Sequence, residues 1–408
     1  MPEVVVVGAG TAGLACAARL AEAGVEALVL EARPRLGGRI RTFRPADGGP
    51  ALELGAQVVH GDRNPAHTVL GPLPPAPRPE AAYVVSGRVA RSMGVLGRGA
   101  HPPWLLEARL TGYAGEPGDG LSVAGWLARS GAAPAEAATA REWLRQVWAA
   151  DPDRLAAADV AAAVRRDTGG RGEFTVPGGM DLLPRRLAEG LRIRTGTPVL
   201  AVGSGPDGRP YVRTSEGELD AEQVVLAVPP AVVHAGVLTL EGAAPGRRAA
   251  AAALVPGDAY CAVVTLSGSA PQTASVFDAD GTSGFVSCRR GRPEVLVVAK
   301  DAAAACVRGA AGSAAHLAAL LGVALPWSRG LAVTAVVAAD WRADPYSGGA
   351  FCAPGPGAAR AALDWARPDG RLFFTGEAAL TGRGLPWLQG AYADGRRAAH
   401  EVLEARKP

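Results

Sequence analysis

Gly8, Gly10 and Gly13 occur in "VVVVGAGTAGL" as G-x-G-x-x-G, a spacing that leaves backbone N–H groups free at a tight turn where a pyrophosphate could lie. Val4 to Val7 ahead of them are β-branched without polar alternation, which suits a short strand buried on both faces. Leu14, Ala17, Ala18 and Ala21 follow at helical spacing. Ala27 to Leu30 reads as a second strand, and Glu31 at its end is placed to hold ribose hydroxyls, favouring a free 2′-hydroxyl over a 2′-phosphate. A glycine turn that merely packs is the competing reading; strand, helix and acid in this order argue for a dinucleotide site.

Other chemistries lack their residues. There is no G-x-S-x-G and no H-E-x-x-H, and the six histidines are dispersed. Cys16, Cys261, Cys288, Cys306 and Cys352 are odd in number and never form C-x-x-C, which argues against a disulfide frame or zinc site and fits a reducing compartment. A net charge of +3, with no basic run interleaved with aromatics, gives no support for nucleic-acid binding. No apolar run approaches a membrane span and the first strand leaves no room for a signal peptide, so a cytoplasmic, soluble protein is expected.

These residues need a scaffold, and 408 residues with 48% hydrophobic content allow two or three domain-sized units. The proline-rich passage "GPLPPAPRPEAAYVVSG" from about residue 71 reads as a linker or domain crossing. Residues 121–166 are alanine-rich with Trp126, Trp143 and Trp148, suggesting a helical insert whose tryptophans pack. "GEFTVPGGMDLLPRRLAEGL" supplies a glycine turn and an amphipathic helix. Strands are expected at 259–266, 283–288, 294–299 and 331–339, with a helix near 313–322, before "RLFFTGEAAL" adds a last buried strand and a final helix follows.

"VVGAGTAGL…LEARPRLGGR", "ELGAQVVHG", "VPGGMDLL", "AEQVVLAVPP", "DWRADPYSGGAF" and "FFTGEAALTGRGLPWLQGAYADGRRAA" together resemble, in order, the flavin-containing amine oxidase family of monoamine, polyamine and L-amino acid oxidases. The helical insert and the strands around 259–339 match that pattern poorly. The resemblance implies an α/β fold: a discontinuous Rossmann-like FAD-binding domain of the GR2 flavoprotein type (1–75, 173–255 and 340–408) with an interleaved α+β substrate domain (76–172 and 256–339), built from the helical insert and an antiparallel sheet. It also implies FAD. Gly8, Gly10, Ala12 and Gly13 would face the pyrophosphate, and Glu31, with Ala32 and Arg33, the adenosine ribose. Arg39, after Gly37-Gly38, would lie near the phosphates. Gly55, Ala56, Gln57 and Val58 would run beside the flavin, and Val199 would place its backbone against adenine. Gly376 and Glu377 would serve the pyrophosphate-ribityl region, and Leu388 to Ala391 the pyrimidine edge of the ring.

By the same resemblance, Ala350 and Phe351 stand where monoamine oxidases carry a flavin-bonded cysteine and a tyrosine, so the FAD is expected to be noncovalent. Phe351 and Trp387 would flank the reacting carbon, two faces that attract a cation and exclude water; ordinary core packing is the alternative. His60 matches a substrate-proximal histidine, either a proton relay or a loop cap. Cys261 takes the slot of a flavin-proximal lysine, which puts fast reoxidation by dioxygen in doubt. Lys300, the only lysine besides Lys407, ends the strand "EVLVVAK" and reads as a solvent-facing strand end, with leaning in toward the flavin as the alternative.

The implied reaction is loss of hydride from the α-carbon of a small-molecule amine or amino acid to FAD, giving an imine that hydrolyses or is passed on, with dioxygen as the candidate electron acceptor. The rivals are a flavin-dependent dehydrogenase or desaturase of a biosynthetic intermediate, and a noncatalytic flavin-binding module. Monomer and homodimer both stay open.

Overall fold

The computed structural model describes residues 2–87, 89–98, 102–116 and 118–407. Val4–Val7 is the centre of a five-stranded sheet, paired in parallel on one side with Ala27–Leu30 and on the other with Gln223–Leu226. Arg192–Arg194 and Leu372–Phe374 complete the edges, also in parallel. Parallel strands need crossovers, and here the crossovers are long: strands from four distant stretches of chain meet in one sheet, so the remaining chain loops out between them.

The uniformly apolar central strands are explained by cover on both faces. Val4, Val6, Val29, Val225 and Phe373 pack with Leu14, Ala17 and Leu20 of the helix Thr11–Glu22 and with Ala398, Ala399 and Val402 of the closing helix Leu388–Glu404. On the other face Val5, Val7, Leu28 and Leu226 pack with Val202 and Val212 of a four-stranded sheet and with Trp365 of the helix Ala358–Ala366.

Gly13 sits where the first helix crosses the first strand. A Cβ built on it would lie 2.0 Å from the Gly8 carbonyl oxygen, so the helix approaches this closely only because the position is glycine. Gly13→Ala is expected to cost about 3 kcal/mol or more through overpacking against backbone, read as a lowered denaturation midpoint with an unchanged m-value.

A second sheet of seven strands runs in the order Val333–Asp340, Ala259–Leu266, Glu294–Lys300, Phe285–Cys288, Ala274–Asp278, Ala81–Ser86, Val89–Ser92. The sequence suggests an antiparallel sheet; the structure is mixed, because Ala81–Ser86 pairs in parallel with Ala274–Asp278. That strand precedes the helical insert in the chain, so no hairpin joins it to Ala274–Asp278, while on its other edge it pairs antiparallel with Val89–Ser92. The proline-rich passage is thus shorter than it reads, since its last residues are this strand. Ala274–Asp278 and the helix Ala302–Ala310 were not expected, the first being too short and too polar at its end to stand out. Helices Pro103–Thr111, Val123–Ala128, Pro134–Trp148 and Ala157–Arg165 bury Leu106, Leu144, Trp148 and Val160 in a core of their own.

The described residues contain five free cysteines and no cluster of ligating side chains suited to a metal ion. None of their helices is long and apolar enough to cross a membrane.

Candidate functional site

A cavity of about 1640 Å³ runs from the glycine turn of the parallel sheet to the inner face of the seven-stranded sheet. The residues singled out from the sequence line it apart from Gly13 and, within Leu388 to Ala391, Gln389 and Gly390: Gly8, Gly10, Ala12, Glu31, Ala32, Arg33, Gly37, Gly38, Arg39, Gly55, Ala56, Gln57, Val58, His60, Val199, Cys261, Phe351, Gly376, Glu377, Trp387, Leu388 and Ala391. Gly13 is set back from the cavity lining. Its work is packing, as the Gly8 contact shows.

At the glycine end, a Cβ on Gly10 would meet no protein atom within 4 Å, so the space in front of this turn is kept clear by the missing side chain. Buried Glu31 accepts the Ala9 N–H at 2.8 Å and the Arg33 N–H at 2.9 Å, which fixes its carboxylate at the cavity wall. Arg33 is less available to a ligand than its position suggests. Its guanidinium pairs with Asp344 and donates to Ser347 at 2.9 Å, while Tyr346 lies 5.4 Å below it.

In the middle, Arg39 reaches Glu377 at 2.7 Å and also donates to the Ala350 carbonyl. Gly376 and Glu377 are held from behind by buried Asp394. It accepts the Thr375 hydroxyl and the Gly376 N–H, each at 2.9 Å, and pairs with Arg397 at 2.7 Å. The closing helix thereby anchors the loop that lines the cavity.

At the far end the aromatic residues gather. The Trp387 ring lies 4.6 Å from the His60 imidazole, tilted by 35°, and 6.3 Å from Trp148. Burial lowers the His60 pKa, with Glu173 opposing and the Lys300 charge reinforcing the shift, which favours the neutral ring. Cys261 is buried and its thiol is pushed up to about 11, which removes thiolate chemistry near neutral pH. It fills its slot as a small, uncharged side chain.

Lys300 is the residue the sequence misplaced. It pairs with Ala259 across the ladder while Val298 pairs with Cys261, so Lys300, Val298 and Cys261 share one face of the sheet. That face is the cavity wall. The ammonium lies 5.7 Å over the Phe351 ring, and burial pushes its pKa down to about 8. The signal was in the alternation: Glu294, Leu296, Val298 and Lys300, every second residue of the strand, all line the cavity. Trp143 also departs from the expectation of pure packing. It lines the cavity and donates its indole N–H to Glu107 at 2.7 Å.

A glycine turn at one end, a carboxylate beside it and an aromatic chamber at the other end define a dinucleotide-binding fold with a reaction chamber attached. The chain belongs to the flavin-containing amine oxidoreductase family, whose model matches residues 11–267 and 310–403. It is 29% identical over 268 residues to a protein of Mycobacterium tuberculosis named as a flavin-containing monoamine oxidase, covering 56% of this chain and 57% of that one. The chain thus spans little more than half the length of that relative. It is 24% identical over 462 residues to pseudooxynicotine dehydrogenase of a Pseudomonas species, covering 99% of this chain and 87% of the relative. Among solved structures, a double mutant of putrescine oxidase superposes with a TM-score of 0.81 at 20% identity, over 98% of this chain and 99% of that one.

Proposed function

We propose that this chain oxidises a C–N bond of a small amine or amino acid, with FAD held along the cavity. The observation that carries the reading is the joining, in one cavity, of the cleared glycine turn at Gly10 to a chamber walled by Phe351 and Trp387. The residues fit the cofactor: open space where a Gly10 side chain would stand, a fixed carboxylate at Glu31 for ribose hydroxyls, and the N-terminus of Leu388–Glu404 at the chamber. Bound FAD supplies the two-electron acceptor that no side chain provides.

The protein's part is binding and orientation. Phe351 and Trp387 hold the amine between apolar faces and exclude water, and neutral His60 beside Trp387 is an acceptor for a proton the substrate ammonium must lose. Loss of two electrons and a proton from the amine leaves an iminium or imine, which water converts to the carbonyl compound and ammonia or an amine.

Attachment of FAD is noncovalent in this reading. Ala350 has no nucleophile, neighbouring Cys352 turns its Sγ to the Leu254 carbonyl, and Cys261 stays protonated. Acid precipitation is expected to release all the flavin intact; flavin retained on the precipitated protein would contradict this.

Anaerobic addition of a panel of amines and amino acids to the yellow protein is expected to bleach the flavin with at least one member. A protein that binds FAD and is reduced by none of them would refute the reading and leave the binding-module alternative. Turnover as a dehydrogenase is favoured over oxidase turnover by the relative named as a dehydrogenase. Greater turnover with an artificial acceptor than with dioxygen checks it.

A further inference from the structure

Lys300 is a cation without a counterion in the chamber. Among the described residues its Nζ has no hydrogen-bond or ion-pair partner; its contact is the face of Phe351. Its backbone is tied down, the N–H donating to Gln146 Oε1 at 2.9 Å and the carbonyl accepting from Gln146 Nε2 at 3.0 Å. The side chain therefore starts from a fixed point on the cavity wall, with rigid sheet behind it.

The groups around it do not cancel its charge. Cys261 on the adjacent strand is a protonated thiol, and His60 across the chamber is neutral. Glu173 lies beyond His60, 3.7 Å from its Nδ1, and is largely exposed. Glu107 accepts from Trp143 Nε1, and burial raises its pKa. Beside Phe351 the cavity thus carries one uncompensated positive charge; Arg289, which also has no side-chain partner among the described residues, lines it past Cys288, at the other end of the strand pair from Lys300. A substrate with only ammonium groups meets like charge there; a substrate with a carboxylate beside its amine gives Lys300 a charge-assisted hydrogen bond. The position lies in 268–309, a stretch the family's model does not match.

We propose that Lys300 is the anchor for a substrate carboxylate, so that the substrate is an amino acid and not a simple amine or diamine. The inference rests on the amine-oxidation reading for its chemistry, but the anchor itself is a binding claim. A single ammonium suits a monoanion, and the flat apolar walls of Phe351 and Trp387 leave a carboxylate no other charged donor at this end. The anchor also sets the geometry, because a carboxylate held over Phe351 places the α-carbon, one bond away, inside the aromatic chamber.

Benzoate and benzamide, equal in shape and different in charge, test the anchor without turnover. In calorimetric titration of the FAD-loaded protein, benzoate is expected to bind at least about tenfold more tightly than benzamide. Lys300→Met should abolish that preference, leaving benzamide affinity within about twofold, and Lys300→Arg should largely keep it. Equal binding of the two by the unaltered protein, or benzoate affinity unchanged in Lys300→Met, would overturn the proposal. If Lys300→Met fails to fold, the comparison in the unaltered protein decides alone.

The second arm compares each amino acid with the amine left when its carboxylate is removed, tyrosine with tyramine and leucine with 3-methylbutylamine. The amino acid should have the higher kcat/KM, and in Lys300→Met the preference should collapse through KM. Turnover with simple amines favoured in both proteins would sink the anchor and spare the oxidation reading. A benzoate preference without any flavin reduction would do the reverse.

Discussion

Gly10→Val is expected to give a folded, colourless protein. The backbone at Gly10 has φ of −75° and ψ of 177°, a conformation open to any residue, and an added Cβ meets no protein atom within 4 Å. Replacing glycine at this helix N-cap should cost at most about 1 kcal/mol of stability. The isopropyl group would instead occupy the space in front of the turn, where a pyrophosphate must come against backbone N–H groups. FAD affinity should fall at least about 100-fold, roughly 3 kcal/mol, while the circular dichroism spectrum and the melting temperature of the flavin-free protein stay close to those of the parent. A yellow Gly10→Val protein would mean that the glycine end of the cavity is not where the dinucleotide lies. The contrast with Gly13 is informative: two glycines three residues apart, one where an added Cβ meets nothing and the other where it would lie 2.0 Å from a carbonyl oxygen, should fail in different ways, one in binding and one in folding.

Asp394→Ala is expected to have the largest effect on stability among single side-chain changes near the cavity. Asp394 is buried and receives hydrogen bonds from the Thr375 hydroxyl, the Gly376 N–H and the Arg397 guanidinium. Arg397 also donates to the Phe374 carbonyl at 2.7 Å and to Glu401 at 2.6 Å. Removing the carboxylate leaves a largely enclosed guanidinium with part of its pairing gone and two backbone or hydroxyl donors without acceptors, a loss of about 3–5 kcal/mol. For a chain of this size that is a fall in Tm of roughly 5 °C. The same change frees the Gly376–Glu377 loop, so flavin binding should weaken as well. Asp394→Asn keeps one acceptor oxygen and should lose less on both counts. Equal stability of Asp394→Ala and the parent would show that the closing helix does not hold this loop.

The parallel half of the molecule was legible because its signals are local. Four valines, a glycine turn and an alanine-rich helix each declare one element, and the register of a short strand buried on both faces has little freedom. Strands 259–266 and 294–300 were legible for the same reason. The course of Ala81–Ser86 was not, because its partner Ala274–Asp278 lies about 190 residues away and no turn joins them. The candidate site follows the same divide. Glu31 and the glycines stand next to the elements that place them, so order along the chain locates them. The misplaced Lys300 and the overlooked Glu107 depend on which strand lies beside which and where a helix of the insert packs, and neither is written in their neighbours. Cys261 was located correctly on its strand, but its chemistry was not readable: burial decides the state of the thiol, and burial belongs to the folded molecule.

A crystal structure of the protein grown with FAD is the most direct examination of the cavity's role. Adenine is expected beside Val199 and its ribose at Glu31, the pyrophosphate against Gly8 and Gly10, and the isoalloxazine ring at the far end among Gln57, Phe351, Trp387 and Lys300. Density for FAD with its ring outside that chamber, or crystals that take up no FAD from a saturating solution, would contradict the proposed function at its root.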